Sequence, residues 1–362
     1  MAWLFGDSFD WYQTADLMLR WPGSTLVTGA SNISIDTVNG RNGTGAAKYT
    51  YGGNNSPIFL GKAVPASGAT AIIGIAFNPT TLTMNAEDFR GGLITVYWGA
   101  TAQCSVRYNK TDGSISFLRG QPEGGTIVGT SAAGQISATN TWYYIELKVV
   151  LGTGTAGSFD VHLNTASIVS GSGVNTAGAA VTTWDSYRLF ANSADLPNLS
   201  GGFWYIDDTY CCDGSSAINN DFLGPIRGRA LLADGAGTYT QFTPSAGANY
   251  TCVDDPLFNG DTDYVASSTP GQIDSYNFGA LGITGSVKAV QLNLMVRSAA
   301  GAGETIAPVV RVGSTDYVGA NITALSTGYT DKLVLYENSP ATSVPWTVSE
   351  IDGAQFGLKL VS

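Results

Sequence analysis

The sequence is poor in charged residues, cysteine and histidine, and each shortage narrows what the protein can be. Charged residues make up 12% of the 362 residues, about half the share in a typical soluble protein. Uncharged polar side chains and the 46 glycines must therefore form much of the surface and its turns. The four cysteines form no Cys-x-x-Cys pair and there is one histidine, which argues against the usual zinc sites.

Long apolar runs and basic clusters are also missing. No stretch approaches the ~20 apolar residues that cross a bilayer, so no membrane insertion is expected. The net charge is −11, and an acidic surface repels phosphate backbones, which argues against nucleic-acid binding. The first residues lack the basic segment and apolar core of a signal peptide, so we expect synthesis in a cytoplasm without a secretion tag.

What the sequence does contain is apolar alternation with a period of two. Tyr143, Ile145, Leu147 and Val149 alternate with polar or amphipathic residues, a pattern typical of a strand. The Asp112-Gly113 pair predicts a tight turn between two further strands. A convincing helical signal lies at 347–350, where Thr347 can cap the amide of Glu350.

The length of 362 residues favours two domains. The polar run 213–216 has no apolar anchor, so we place the boundary near residues 213–220. The prediction is an all-β protein with two β-sandwich or jelly-roll domains in tandem, spanning 1–213 and 221–362 and joined by a linker over 214–220.

Residues 1–213 resemble concanavalin A-like lectin/glucanase sandwiches. The resemblance rests on Phe5–Asp10 as a first strand, Trp142–Val149 and Ser158–Asn164 as paired central strands, and Trp204–Asp208 as the last strand. It implies a concanavalin A-like fold for the N-terminal domain.

The second half resembles minor structural proteins of tailed bacteriophages. The matching runs are Asn220–Gly224 with Arg227, Thr240–Ser245 with Asn249-Tyr250, and Val253–Asp255 with Asp261–Val265 and Ser267-Ser268. This resemblance implies a non-enzymatic accessory component of a virion, on the tail, a fibre or the capsid exterior. Its implied partners are other virion proteins and further copies of itself, with a trimer as the expected homo-oligomer.

The sequence predicts no catalytic set, and we therefore expect a protein that is not an enzyme. Glu146 has Tyr144 and Lys148 as same-face neighbours and is predicted to be a solvated strand residue. Asp207 and Asp208 are adjacent and are predicted to point to opposite faces, which does not suit a shared-proton pair. His162 is predicted to lie on the surface. A polysaccharide-degrading enzyme is the least favoured hypothesis.

Aromatic residues support an alternative, a carbohydrate-binding adhesin that recognises host surface glycans. Trp98, Trp142 and Tyr144 are the candidate glycan contacts, because aromatic rings stack on sugars. Core packing and subunit contacts remain competing explanations for these side chains.

Calcium is the one ion for which candidate ligands occur, and no other cofactor is expected. The candidates are acidic and amide side chains of one segment: Asp254, Asp255, Asn259, Asp261 and Asp263. Turns built on Asx hydrogen bonds explain the same segment equally well. Asp7, Asp10 and Asp207 could also converge if the first and last strands of the N-terminal domain pair.

The cysteines Cys104, Cys211, Cys212 and Cys252 are interpreted as buried thiols, as suits a protein folded in a reducing compartment. A disulfide formed later, within or between subunits, is the alternative, and the sequence does not determine its pairing.

Overall fold

The structure is a computed structural model that describes residues 2–24, 32–41, 43–50, 58–80, 92–191, 202–299, 301 and 303–362. Alternating apolar residues and turn glycines make most of this chain extended. The first fourteen strands are β1 Trp3–Asp7, β2 Ile33–Asp36, β3 Ala46–Thr50, β4 Leu60–Ser67, β5 Thr70–Asn78, β6 Gly92–Trp98, β7 Thr101–Asn109, β8 Ser114–Arg119, β9 Thr126–Thr130, β10 Tyr143–Val150, β11 Gly157–Leu163, β12 Ala166–Val174, β13 Trp184–Ala191 and β14 Phe203–Cys212.

Over the described residues, these strands form two antiparallel sheets. The larger has the order β12-β11-β10-β5-β14-β3-β2, with β1 also paired to β14. The smaller has the order β4-β13-β6-β7-β8-β9. A 3₁₀ turn at Thr14–Asp16 leads into the short helix α1, Leu17–Arg20.

The two sheets face each other across an aromatic core. Phe190 of the smaller sheet packs against Trp204 of the larger, with 4.1 Å between ring centroids. Phe117 and Phe159 stack across the same interface at 4.0 Å. Trp204 in turn stacks on Tyr49 of β3. These contacts define a β-sandwich, as predicted, and they show which face of the larger sheet is the core face.

The second unit is also antiparallel β structure. Its strands are β15 Ala233–Thr240, β16 Thr243–Pro244, β17 Val265–Ala266, β18 Ile273–Phe278, β19 Val290–Val296, β20 Ile306–Val312, β21 Thr315–Val318, β22 Thr330–Tyr336 and β23 Gln355–Leu360. In the part of the chain that is described, they form the sheet β15-β18-β23-β20-β21 and the pairs β16-β17 and β19-β22. The predicted all-β class is thus confirmed.

The predicted short helix near the C-terminus is also confirmed. Helix α2 spans Val348–Asp352 and begins where the Thr347 hydroxyl accepts the Glu350 N–H. The Glu350 side chain accepts a hydrogen bond from the Ser339 hydroxyl. Ile351 of this helix packs with Trp346, Phe356 and Val310 in the core of the second unit. None of the helices in the described ranges is long and apolar enough to cross a membrane.

The chain divides into compact units at Met1–Gly228 and Arg229–Ser362. The predicted linker 214–220 and the following eight residues therefore belong to the first unit. Backbone groups of this stretch bond to side chains of the larger sheet: the Gly224 N–H donates to Glu146 Oε1 at 2.9 Å, and the Gly228 N–H donates to Asp208 Oδ1 at 2.8 Å. We call residues 219–228 the covering segment.

Candidate functional site

A row of side chains crosses the outer face of the larger sheet near one end. Tyr205 of β14 lies opposite Lys48 of β3 and opposite Asn78 of β5. Residues paired in this way share a face. The neighbouring residues Trp204 and Tyr49 lie in the core, and alternation therefore places Lys48, Tyr205 and Asn78 on the face away from the smaller sheet.

These side chains line a groove with a volume of about 500 Å³. Its wall includes the turn after β2 and the loop before β10 as well as the sheet. The lining residues are Asp36, Val38, Asn39, Gly40, Lys48, Asn78, Thr80, Asn140, Trp142, Phe203 and Tyr205. The volume falls within the range of small-molecule pockets.

Three aromatic rings stand together in the groove. The Trp142 and Tyr205 ring centroids are 6.3 Å apart, and those of Phe203 and Tyr205 are 5.6 Å apart. Trp142 is half-buried, so part of its indole remains accessible. The groove thus combines an aromatic wall with amide, carboxylate and ammonium groups.

Hydrogen bonds lock the turn after β2. Asp36 Oδ1 accepts the N–H groups of Val38 and Asn39, each at 3.1 Å, and Oδ2 accepts the Tyr205 hydroxyl at 3.0 Å. The Asn39 side-chain amide donates to both carboxylate oxygens. Partial burial raises the pKa of Asp36, but these hydrogen bonds outweigh it and hold the pKa below its ordinary value. Burial, followed by the bond to Asp36, raises the pKa of Tyr205 to about 12.

The covering segment closes the other half of the same face. Glu146 is predicted to be solvated, and this is wrong: it is fully buried. Its Oε1 accepts the Tyr210 hydroxyl at 2.5 Å and the Leu223 N–H at 3.1 Å, as well as the Gly224 N–H. Burial, followed by the Glu146 charge, raises the pKa of Tyr210 well above its ordinary value.

Asp207 and Asp208 do not point to opposite sides of a regular strand, so that prediction is wrong too. The pairing between β14 and β5 shifts register between Asp207 and Tyr210, and Asp208 has a φ of 43°. This irregularity brings both carboxylates to Arg41, whose backbone N–H donates to Asp207 at 2.8 Å and whose guanidinium donates to Asp208 at 2.6 Å. Burial is the main reason that the pKa values of Asp207 and Asp208 are both raised. The pKa of Asp208 is raised to about 6.

These carboxyls predict a pH dependence of stability. A carboxyl whose pKa is higher in the folded than in the unfolded chain binds protons more readily when folded. The free energy of unfolding is therefore expected to rise, by on the order of 1–2 kcal/mol, as the pH falls from 7.5 to 5. Urea unfolding at the two pH values measures this change. In Asp208→Asn the rise should shrink, and an equal rise in that variant would contradict the assignment.

His162 is half-buried rather than free on the surface. Its ring stacks on Phe222 of the covering segment at 3.7 Å and lies 3.1 Å from an Asp160 carboxylate oxygen. Lys148 on the neighbouring strand pairs with Asp221 at 3.0 Å. The histidine therefore helps to hold the covering segment on the sheet.

Of the three aromatic candidates for glycan contact, the structure places one in the groove. Trp142 lines it, whereas Tyr144 is buried beneath the Arg41 guanidinium and donates its hydroxyl to the Asp208 carbonyl at 3.0 Å. Trp98 ends β6 in the smaller sheet, away from this face. Lys48, Phe203 and Tyr205 were not predicted from the sequence, because only the pairing of distant strands brings them together.

The calcium candidates make hydrogen bonds and ion pairs of their own. The Asn259 amide nitrogen donates to Asp255 and Asp263, each at 2.6 Å, and Asp261 pairs with Arg297 at 2.8 Å. Asp254 precedes these residues in the sequence. Within the described ranges, no three His, Cys, Asp or Glu side chains form a group able to hold a metal. Asp7 of β1, which does pair with β14, accepts from Trp21 and Tyr12 at 2.7 and 2.8 Å.

All four cysteines are buried. Cys104, Cys211, Cys212 and Cys252 form no disulfide in the structure. Burial raises the pKa of Cys104 and Cys211 well above the ordinary value, which makes these thiols poorly reactive.

The fold has solved neighbours, although the chain matches no protein-family model and no curated protein sequence. An endo-β-1,4-glucuronan lyase from the fungus Trichoderma reesei aligns at 13% identity over 52% of this chain and 93% of its own, with a TM-score of 0.37. An alginate lyase from Aplysia kurodai aligns at 12% identity over 58% and 99%, with a TM-score of 0.40. A carbohydrate-binding module from Bacillus subtilis aligns at 10% identity over 52% and 99%, with a TM-score of 0.31.

These neighbours contradict the prediction of a non-enzymatic virion structural protein. They are polysaccharide lyases and a carbohydrate-binding module. The expectation that the chain is not an enzyme is contradicted by the same lyases. The resemblance of the second half to phage proteins, and the virion partners, trimer and location that it implies, stay predictions.

Proposed function

We propose that the chain is a glycan-binding protein and that the groove beside Trp142 is its binding site. The observation that supports this proposal most is the accessible indole of Trp142, which lies beside the Phe203 and Tyr205 rings and several polar side chains. Sugar rings present C–H faces that stack on aromatic rings and hydroxyl groups that need donors and acceptors. The groove offers both within a single concave surface.

The polar groups around the rings are suitably placed for hydroxyl recognition. The Asn78 amide oxygen accepts from Thr80 Oγ1 at 3.0 Å, which leaves its N–H groups as donors for a ligand. Asn140 is exposed on the rim. The locked turn after β2 keeps one wall fixed, and such preorganisation lowers the entropic cost of binding.

The proposal is tested by affinity gel electrophoresis of the folded protein against a panel of neutral and acidic polysaccharides, followed by calorimetric titration with oligosaccharides of any polymer that retards it. Retardation by at least one polymer is the expected result. A folded protein that migrates unhindered through the whole panel contradicts the proposal. The same mixtures are assayed for new reducing ends, which would reveal cleavage in addition to binding.

A further inference from the structure

We propose that the groove selects an anionic sugar residue, with the Lys48 ammonium as the partner of its carboxylate or sulfate group. This inference rests on the proposed function and names the ligand class of the same groove. Three observations support it: the placement of Lys48, the saturation of Asp36, and the donor groups that Lys48 and Asn78 present.

Lys48 is the cation of the groove lining. Its Nζ lies 4.4 Å from the centroid of the Phe203 ring, which holds the ammonium beside the aromatic wall. Among the described residues, no carboxylate oxygen lies within ion-pair distance of it. A sugar stacked on the aromatic wall would therefore bring its substituents close to a cation that has no anionic partner in this part of the chain.

Asp36 is the acidic residue of the lining, but it has little capacity left for a ligand. Its Oδ1 accepts from Val38 N, Asn39 N and Asn39 Nδ2, and its Oδ2 accepts from Asn39 Nδ2 and the Tyr205 hydroxyl. A carboxylate offers about four lone-pair sites, and these five contacts occupy them. Asp36 thus fixes the wall of the groove and does not serve as an acceptor for sugar hydroxyls.

Lys48 and Asn78 offer donors to a ligand in the groove. The Lys48 ammonium and the N–H groups of Asn78 face the groove, while the Asp36 carboxylate is already occupied by protein donors. Because buried or half-buried donors need acceptors, such a surface favours a ligand rich in anionic oxygen. The site is a local exception in a chain whose net charge is −11.

The test compares three matched oligosaccharide ligands by calorimetric titration: an oligouronate, its carboxyl-reduced neutral form, and a sulfated oligosaccharide of similar length. Wild type is compared with Lys48→Gln, Lys48→Arg and the control Lys110→Gln, which removes a charge from the turn after β7. We expect the wild type to bind an anionic ligand at least 10-fold more tightly than the neutral one. Lys48→Gln should lose about 10-fold toward the anionic ligand and little toward the neutral one.

The outcomes separate the ligand class from the proposed function. Preference for the uronate or for the sulfated ligand identifies which anion Lys48 pairs with, and Lys48→Arg should retain most of that affinity. Equal affinity for the neutral form, or unchanged anion affinity in Lys48→Gln, overturns the inference. If the neutral ligand binds and Trp142→Ala abolishes that binding, the glycan-binding groove stands without its charge selectivity. Binding of none of the three overturns both.

Discussion

Replacing Trp142 by alanine is expected to weaken glycan binding by roughly 10- to 30-fold while leaving the fold intact. An aromatic anchor at the centre of a site commonly accounts for about 2 kcal/mol when truncated, and each 1.4 kcal/mol is about tenfold in affinity. Trp142 precedes β10 and is half-buried, and its removal therefore opens no large cavity in the core. Calorimetric titration and thermal unfolding of the same preparation measure the two effects separately.

Trp98→Ala is the matched control for this loss. It removes the same side chain from a strand end in the smaller sheet, away from the groove. Its glycan affinity should equal that of the wild type. Comparable losses in the two variants, or full binding by Trp142→Ala, would place the binding site elsewhere.

Replacing Glu146 by alanine is expected to lower the free energy of unfolding by roughly 2–4 kcal/mol. The carboxylate is fully buried, and its loss leaves the Tyr210 hydroxyl and the Gly224 N–H without their acceptor, while the Leu223 N–H keeps only its bond to the Tyr210 hydroxyl oxygen at 3.2 Å. An unsatisfied buried donor costs about 1–3 kcal/mol. Urea unfolding at pH 7.5 measures the change, and limited proteolysis reports whether the covering segment loosens.

Glu146→Gln is the control, because its amide oxygen can keep the acceptor role of Oε1. It should cost clearly less than Glu146→Ala and leave the covering segment resistant to protease. Unfolding curves for the alanine variant that superimpose on those of the wild type would show that the covering segment does not depend on this carboxylate.

The sequence predicted the strands far better than it predicted what covers them. Alternation located β10 and β11, and the Asp112-Gly113 turn located β7 and β8. Alternation also correctly placed Tyr144 and Glu146 on the strand face opposite Tyr143 and Ile145. Alternation distinguishes two faces, however, and says nothing of what packs on the outer one. Glu146 looks solvated in sequence and is buried because backbone groups 77 and 78 residues later donate to it.

The groove was predictable only through Trp142. Lys48, Asn78 and Tyr205 are separated by long stretches of chain, and their common position depends on strand register, which one sequence does not reveal. The irregularity in β14 is similar: no sequence signal announces that Asp208 adopts a positive φ. Sequence periodicity thus does not predict that the covering segment packs on the polar face of the larger sheet, nor that β14 is irregular at Asp208.

Fluorine NMR of protein labelled with 5-fluorotryptophan tests the groove most directly, because the chain has eight tryptophans in distinct surroundings. Trp142→Phe assigns the Trp142 signal, and a binding oligosaccharide is then titrated. The groove predicts that the Trp142 signal shifts with ligand concentration, while those of the buried Trp21, Trp184 and Trp204 stay in place. A titration in which the Trp98 signal moves and the Trp142 signal does not would contradict it.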